Sequence, residues 1–129
     1  MSIRIVRLGT PKRRNEGVRL GTVRHPPRGV PKSRYSVDNW FDVWLPNLAP
    51  SAALIKSARR QDDPSGWAKF AARYEAEMAR PECNHLLQAL AALSHTTDFS
   101  VGCYCEDEQR CHRGILRRIL KKHGAMVAH

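Results

Sequence analysis

Residues 99–120 read FSVGCYCEDEQRCHRGILRRIL, and the parsing of this stretch decides the fold. Phe99, Val101 and Cys103 alternate with smaller or amphipathic residues, the period-two pattern of a strand with one face in the core. Beyond the EDEQR segment, Ile115, Leu116, Ile119 and Leu120 recur at helical spacing, and Lys121, Lys122 and His123 ahead of Gly124 mark the helix end. Residues 99–105 are thus expected to form an interior strand, followed by a loop and a closing helix.

Working outward, Ile3, Ile5 and Val6 begin an extended segment ending near Gly9, and TPKRRNEG turns into a second extended run, VRLGTV. These two read as an opening pair of strands. The stretch RHPPRGVPKSRY sets three prolines and a glycine among Arg24, Arg28, Lys32 and Arg34. Proline lacks an amide donor and disfavours helix before it, so residues 24–34 form a stiff basic loop. FDVWLPNL follows as short strand or loop. A helix through Leu54 and Ile55 starts at Pro50 and Ser51; QDDPSG breaks it, with Asp63 as N-cap and Pro64 opening the next helix. Trp67, Phe70, Ala71, Tyr74 and Met78 give that helix its stripe, and Leu86, Leu87, Leu90 and Leu93 give another after Pro81. Strands alternating with helices define an α/β class: a single domain, residues 1–129, with a small, largely parallel sheet flanked by helices.

The 129 residues suffice for one core. No apolar run approaches a membrane span, and MSIRIVRLGTPKRR lacks the apolar centre of a signal peptide, so a cytoplasmic location is expected, away from membranes. In a reduced compartment the four cysteines are thiols, thiolates or ligands. Cys83, in a helix, needs no special role. The net charge is +10, and residues 1–34 hold ten basic side chains against one acidic, Glu16. A basic segment on a near-neutral body suits an anionic partner, small molecule or nucleic acid.

Cys103, Cys105, Cys111 and His112 offer four metal ligands in principle. Cys103, however, shares the face of Phe99 and Val101, and adjacent Cys111 and His112 are expected to point apart, so no tightly bound zinc is expected. Residues 111–117, CHRGILR, match the spacing of a cysteine-phosphatase loop. That loop would have to follow a strand directly, whereas five residues separate Cys105 from Cys111, and Glu106, Asp107 and Glu108 oppose thiolate formation. The third reading uses position. Cys105 and Glu106 lie at a strand's carboxyl end and Cys111, His112 and Arg113 at a helix start, where open α/β sheets gather anionic ligands. Arg113 would grip phosphate or carboxylate, or it would pair with Glu106 and clamp the loop; both readings stand.

Taken together, RLGTVRHPPRGVPK, DVWLPNLAPS, WAKFAARYEAEM and CYCEDEQRCHR closely resemble the bacterial family called domain of unknown function 488, particularly its YeaO-like branch, over nearly the whole chain. The resemblance implies a small cytosolic α/β protein with its polar cluster on the closing strand and helix, and marks Arg28 and Lys32 in the other loop. It implies no reaction. The chain departs from many YeaO-like sequences at His25 and Pro26, where those have Leu-Trp, which puts its ligand preference in question.

Two functions follow. In one, an enzyme or nucleotide-binding domain holds a phosphate-bearing ligand with Arg24, Arg28, Lys32 and Arg113. Cys105, Glu106, Cys111 and His112 supply reactive groups, Glu106 as general base and His112 as acid or shuttle. In the other, a nonenzymatic protein binds nucleic acid through its basic first quarter. No cofactor and no oligomeric state can be named from the residues.

Overall fold

The computed structural model describes residues 1–58 and 64–128. Four strands, β1 (Ile3–Arg7), β2 (Val18–Gly21), β3 (Val43–Trp44) and β4 (Phe99–Cys103), form one sheet in the order β1-β4-β2-β3 with every neighbour parallel. The helices are α1 (Ala52–Ala58), α2 (Pro64–Met78), α3 (Pro81–Leu93) and α4 (His112–Lys122). The chain is thus a single-domain α/β protein. Among the described helices none is long and apolar enough to cross a membrane.

β4 is the interior strand expected at residues 99–105, although it stops at Cys103. All five of its residues are buried, and it pairs with β1 on one side and β2 on the other. The opening strands are therefore not neighbours, because β4 is inserted between them. Their register brackets it: Ile5 and Leu20 both sit opposite Val101. The connection through residues 8–17 is too short for a helix and ends at Gly17, whose positive φ of 74° leaves a Cβ only 1.9 Å from the Asp98 carbonyl. Only glycine fits there. FDVWLPNL resolves into the two-residue β3 and a single 3-10 turn, Pro46–Leu48.

Alternation divides the sheet between two environments. Ile3, Phe99 and Val101 face the main core, where Tyr74 and Met78 of α2, Leu87 and Leu90 of α3, and Ile115, Leu116 and Leu120 of α4 pack on them. The helical stripes are core, as their spacing indicates, except that Leu93 at the end of α3 is half exposed. Ser51 heads α1, accepting the Leu54 amide at 3.2 Å and itself held by Glu77. The expected cap Asp63 lies outside the described residues. Cys83 is buried in α3, its thiol donating to the Asn47 carbonyl.

The opposite face is polar. Arg19 and Ser100 project there onto Glu16, which arrives from the β1–β2 connection. The C-terminal segment runs beside β1, where Ile3 donates to Met126 and accepts from Ala128.

Candidate functional site

The parallel sheet brings the carboxyl ends of β2 and β4 side by side, and α4 starts directly above them. A crevice of about 360 Å³ opens here. Its apolar wall is Val23, Pro50, Ile55, Phe70 and Tyr104; Arg24, His25 and Arg110 line it as well; Cys103, Cys105, Cys111 and His112 complete it. No carboxylate is among these lining residues.

His112 is the first residue of α4 and is buried. Its Nε2 lies 2.7 Å from the Thr22 carbonyl, an acceptor only, so this nitrogen carries the proton and donates. Nδ1 then presents a lone pair, and the Cys111 sulfur is 3.9 Å from it. Burial pushes the His112 pKa down to about 4, against the Thr22 bond and with help from neighbouring Arg113, so the ring is neutral near pH 7. The Tyr74 ring meets it edge-on, with centroids 5.5 Å apart.

Cys103 does face inward, as its alternation indicates, but at the end of a strand inward means beneath the start of α4. Its sulfur is in contact with that of Cys111 across a Cα–Cα separation of 7.9 Å. The expectation that Cys111 and His112 point apart is corrected here: one ligand atom each from Cys103, Cys111 and His112 lie within 4.8 Å of one another. The cause is backbone geometry. Cys111 is the extended N-cap, with φ −134° and ψ 148°, and His112 the first helical residue, so the turn between them swings both side chains to one side.

The other candidates divide. Cys105 is exposed on the crevice rim, and its amide donates to the Cys103 sulfur at 3.4 Å. Glu106, expected to serve as general base, has a side chain 83% exposed and pairs loosely with Arg7 at 3.6 Å. Arg24 reaches the crevice, but its guanidinium donates to the carbonyls of Pro46, Ala49 and Pro50 and so braces the turn before α1. Arg28 and Lys32 are exposed and outside the crevice lining, Arg28 bordering a shallow hollow with Pro26, Pro27 and Trp40. The two loops nevertheless meet where Tyr104 donates to the His25 carbonyl at 2.9 Å.

Arg113 turns away from the crevice into a separate polar cleft of about 290 Å³ with Arg4, Arg7, Arg13, Arg19, Glu16 and Glu108. It is 5% exposed, its Nη2 donates to the Glu106 backbone carbonyl at 3.1 Å, and its buried Nε has no partner among the described residues. The clamp onto Glu106 therefore exists through the main chain and not through the carboxylate. Nearby, the Glu108 carboxylate holds Arg117 at 2.6 and 3.0 Å. Gly114 lets this turn approach α4, since a Cβ there would lie 2.5 Å from the Glu108 carbonyl.

Arg110 and Tyr104 are not among the candidates read from the sequence, and Cys103 is weighed there as a metal ligand but assigned to the core. The spacing of Cys103 to Cys111 was visible; its inward direction was taken for simple core packing. The Thr22 carbonyl, which sets the His112 tautomer, leaves no side-chain signal at all.

Fold and site together define a small all-parallel α/β protein with a thiol- and imidazole-lined crevice at the strand ends. A family model described as DUF488-N3a, the active DUF488-N3 subclade, matches residues 3–124. The chain belongs to the domain of unknown function 488 family, the family its motifs resemble. No curated protein and no solved structure matches it.

Proposed function

We propose that the strand-end crevice binds an anionic small molecule with an aromatic or apolar body, of the nucleotide class, and that its Cys/His floor acts on that ligand. The observation that carries this reading is the composition of the lining: Arg24 and Arg110 with His25 and the neutral His112, and no carboxylate among the described lining residues, beside Phe70, Tyr104, Ile55 and Val23. A base or other planar body suits the apolar wall, and a phosphate suits Arg110 and the amides opening α4. The description of the matched subclade as active accords with a reactive floor.

The nucleic-acid reading draws less support. Much of the basic first quarter is already engaged: Arg19 with Glu16, Lys12 with Asp42, Arg34 with Asp38, and Arg24 with backbone carbonyls. What remains is split between the polar cleft, which Arg4, Arg7 and Arg13 line with Glu16 and Glu108, and the exposed Arg28 and Lys32.

Isothermal titration with adenosine 5′-diphosphate, adenosine and inorganic phosphate tests the proposal. The diphosphate is expected to bind more tightly than either part, and Arg110→Ala to weaken it about 10- to 100-fold, the loss of one charge-assisted contact. Equal binding by the variant, or binding only to oligonucleotides with a steep salt dependence, contradicts it.

A further inference from the structure

The floor of the crevice carries a second assignment. We infer that, in the dithiol form, Cys103 Sγ, Cys111 Sγ and His112 Nδ1 hold a thiophilic divalent metal ion of the zinc class, with its fourth position open to the crevice. One ligand atom from each of the three residues lies within 4.8 Å of the other two, the Cys111 sulfur is 3.9 Å from Nδ1, and all three residues are buried. Tetrahedral zinc, with bonds of about 2.0–2.3 Å, sets its ligand atoms roughly 3.5–3.8 Å apart, so the two sulfurs, now in contact, part to admit the ion while the imidazole draws slightly closer.

Three further observations fit a metal. First, the Cα atoms of Cys103 and Cys111 are 7.9 Å apart. Disulfides usually span about 4.4–6.8 Å, and beyond about 7 Å a bridge requires backbone movement, whereas two thiolates sharing an ion carry no such limit. Second, the His112 tautomer is set for ligation: Nε2–H is fixed on the Thr22 carbonyl at 2.7 Å, leaving Nδ1 as the free donor on the Cys111 side. A backbone carbonyl on the far nitrogen is the usual outer support of a metal-bound imidazole. Third, the Cys105 amide points at the Cys103 sulfur at 3.4 Å, a bond that a thiolate accepts better than a thiol.

The proton balance is definite. A dithiol reductant supplies two electrons and two protons, or a phosphine supplies two electrons and becomes its oxide while water gives the oxygen and two protons, to leave two thiols; binding M²⁺ then releases two protons as two thiolates form, and neutral His112 contributes none. Two thiolates and a divalent ion are neutral together, so Arg24, His25 and Arg110 keep their attraction for an anion. The open position would offer that anion a Lewis acid. This role rests on the crevice being the ligand site; the metal site itself rests on coordination geometry alone.

Cobalt(II) titration of the full chain under phosphine reductant, without nucleotide, is the test. Expected are one equivalent bound, a thiolate-to-cobalt charge-transfer band with tetrahedral visible bands, and two protons released per ion in weak buffer. Cys103→Ser should remove the charge-transfer intensity of one thiolate and lower affinity, while Cys105→Ser keeps the full spectrum. Absence of these bands in the reduced wild-type protein, a spectrum indifferent to Cys103→Ser, or one abolished by Cys105→Ser overturns the assignment. Because adenosine diphosphate binding is measured separately on metal-free protein, failure of either reading is distinguishable from failure of the other.

Discussion

The polar face of the sheet and the crevice at its strand ends use similar chemistry to opposite ends. On the polar face, Arg19 is 1% exposed and its donors are engaged: Nε and Nη2 on Glu16, and Nη1 on the Thr10 and Asn39 carbonyls. Glu16 in turn accepts from Ser100 and from the Arg13 amide. At the strand ends, one His112 nitrogen is fixed on the Thr22 carbonyl and the other faces only the Cys111 sulfur at 3.9 Å, and Arg24 and Arg110 line an opening with no carboxylate among its described lining residues. The saturated network fixes the β1–β2 connection under the sheet; the unsaturated one leaves bonding capacity for something else. Unspent capacity in a buried place, and not charge as such, is what distinguishes a site from a strut.

The largest way to break this comparison is Glu16→Gln. It leaves the Arg19 charge buried without its counter-ion, and the expected loss is about 3–5 kcal/mol, read as a fall in urea midpoint or in Tm. Adenosine diphosphate affinity, measured where the variant is still folded, should be unchanged. The same carboxyl sets an acid limit. Burial opposes ionisation of Glu16, but bonds from Arg19, Ser100 and the Arg13 amide hold its pKa below the ordinary 4.5. As pH falls, the unfolded chain therefore takes up this proton first. Stability from Glu16 is complete above about pH 4.5 and is lost as pH drops through the lower folded-state value, a loss a urea series at pH 5, 4 and 3 would follow.

Arg113→Ala sits between the two regions. One hydrogen bond, to the Glu106 carbonyl, is removed along with a buried guanidinium whose pKa burial already pushes down. The expected stability change is about 1 kcal/mol, with anion affinity altered only through the 105–110 loop that carries Arg110. Arg28→Ala and Lys32→Ala should do least, within about 0.5 kcal/mol of stability, since both side chains are exposed and outside the crevice lining.

How legible these features were in the sequence depends on what each one is made of. The β4–α4 unit was plain because burial writes its period directly into Phe99, Val101 and Cys103, then Ile115, Leu116 and Ile119. Strand order was hidden: nothing in residues 1–21 records that a strand from residue 99 onward slides between the first two. Arg24 reads as an anion ligand, yet prolines at 46 and 50 leave a turn whose carbonyls need donors, and Arg24 supplies them. Cys103 was hidden for the opposite reason, since its pattern correctly placed it inside and an inside cysteine resembles any small apolar residue.

The central claim, that the strand-end crevice is the ligand site, is tested most directly by backbone amide chemical-shift mapping of the protein titrated with adenosine 5′-diphosphate. The account predicts shifts concentrated at residues 22–25, 103–105 and 110–114, with Ser100, Glu16 and Arg19 quiet. Shifts centred instead on Arg4, Arg7 and Arg13 in the Arg113 cleft, or on Arg28–Arg34, would contradict it.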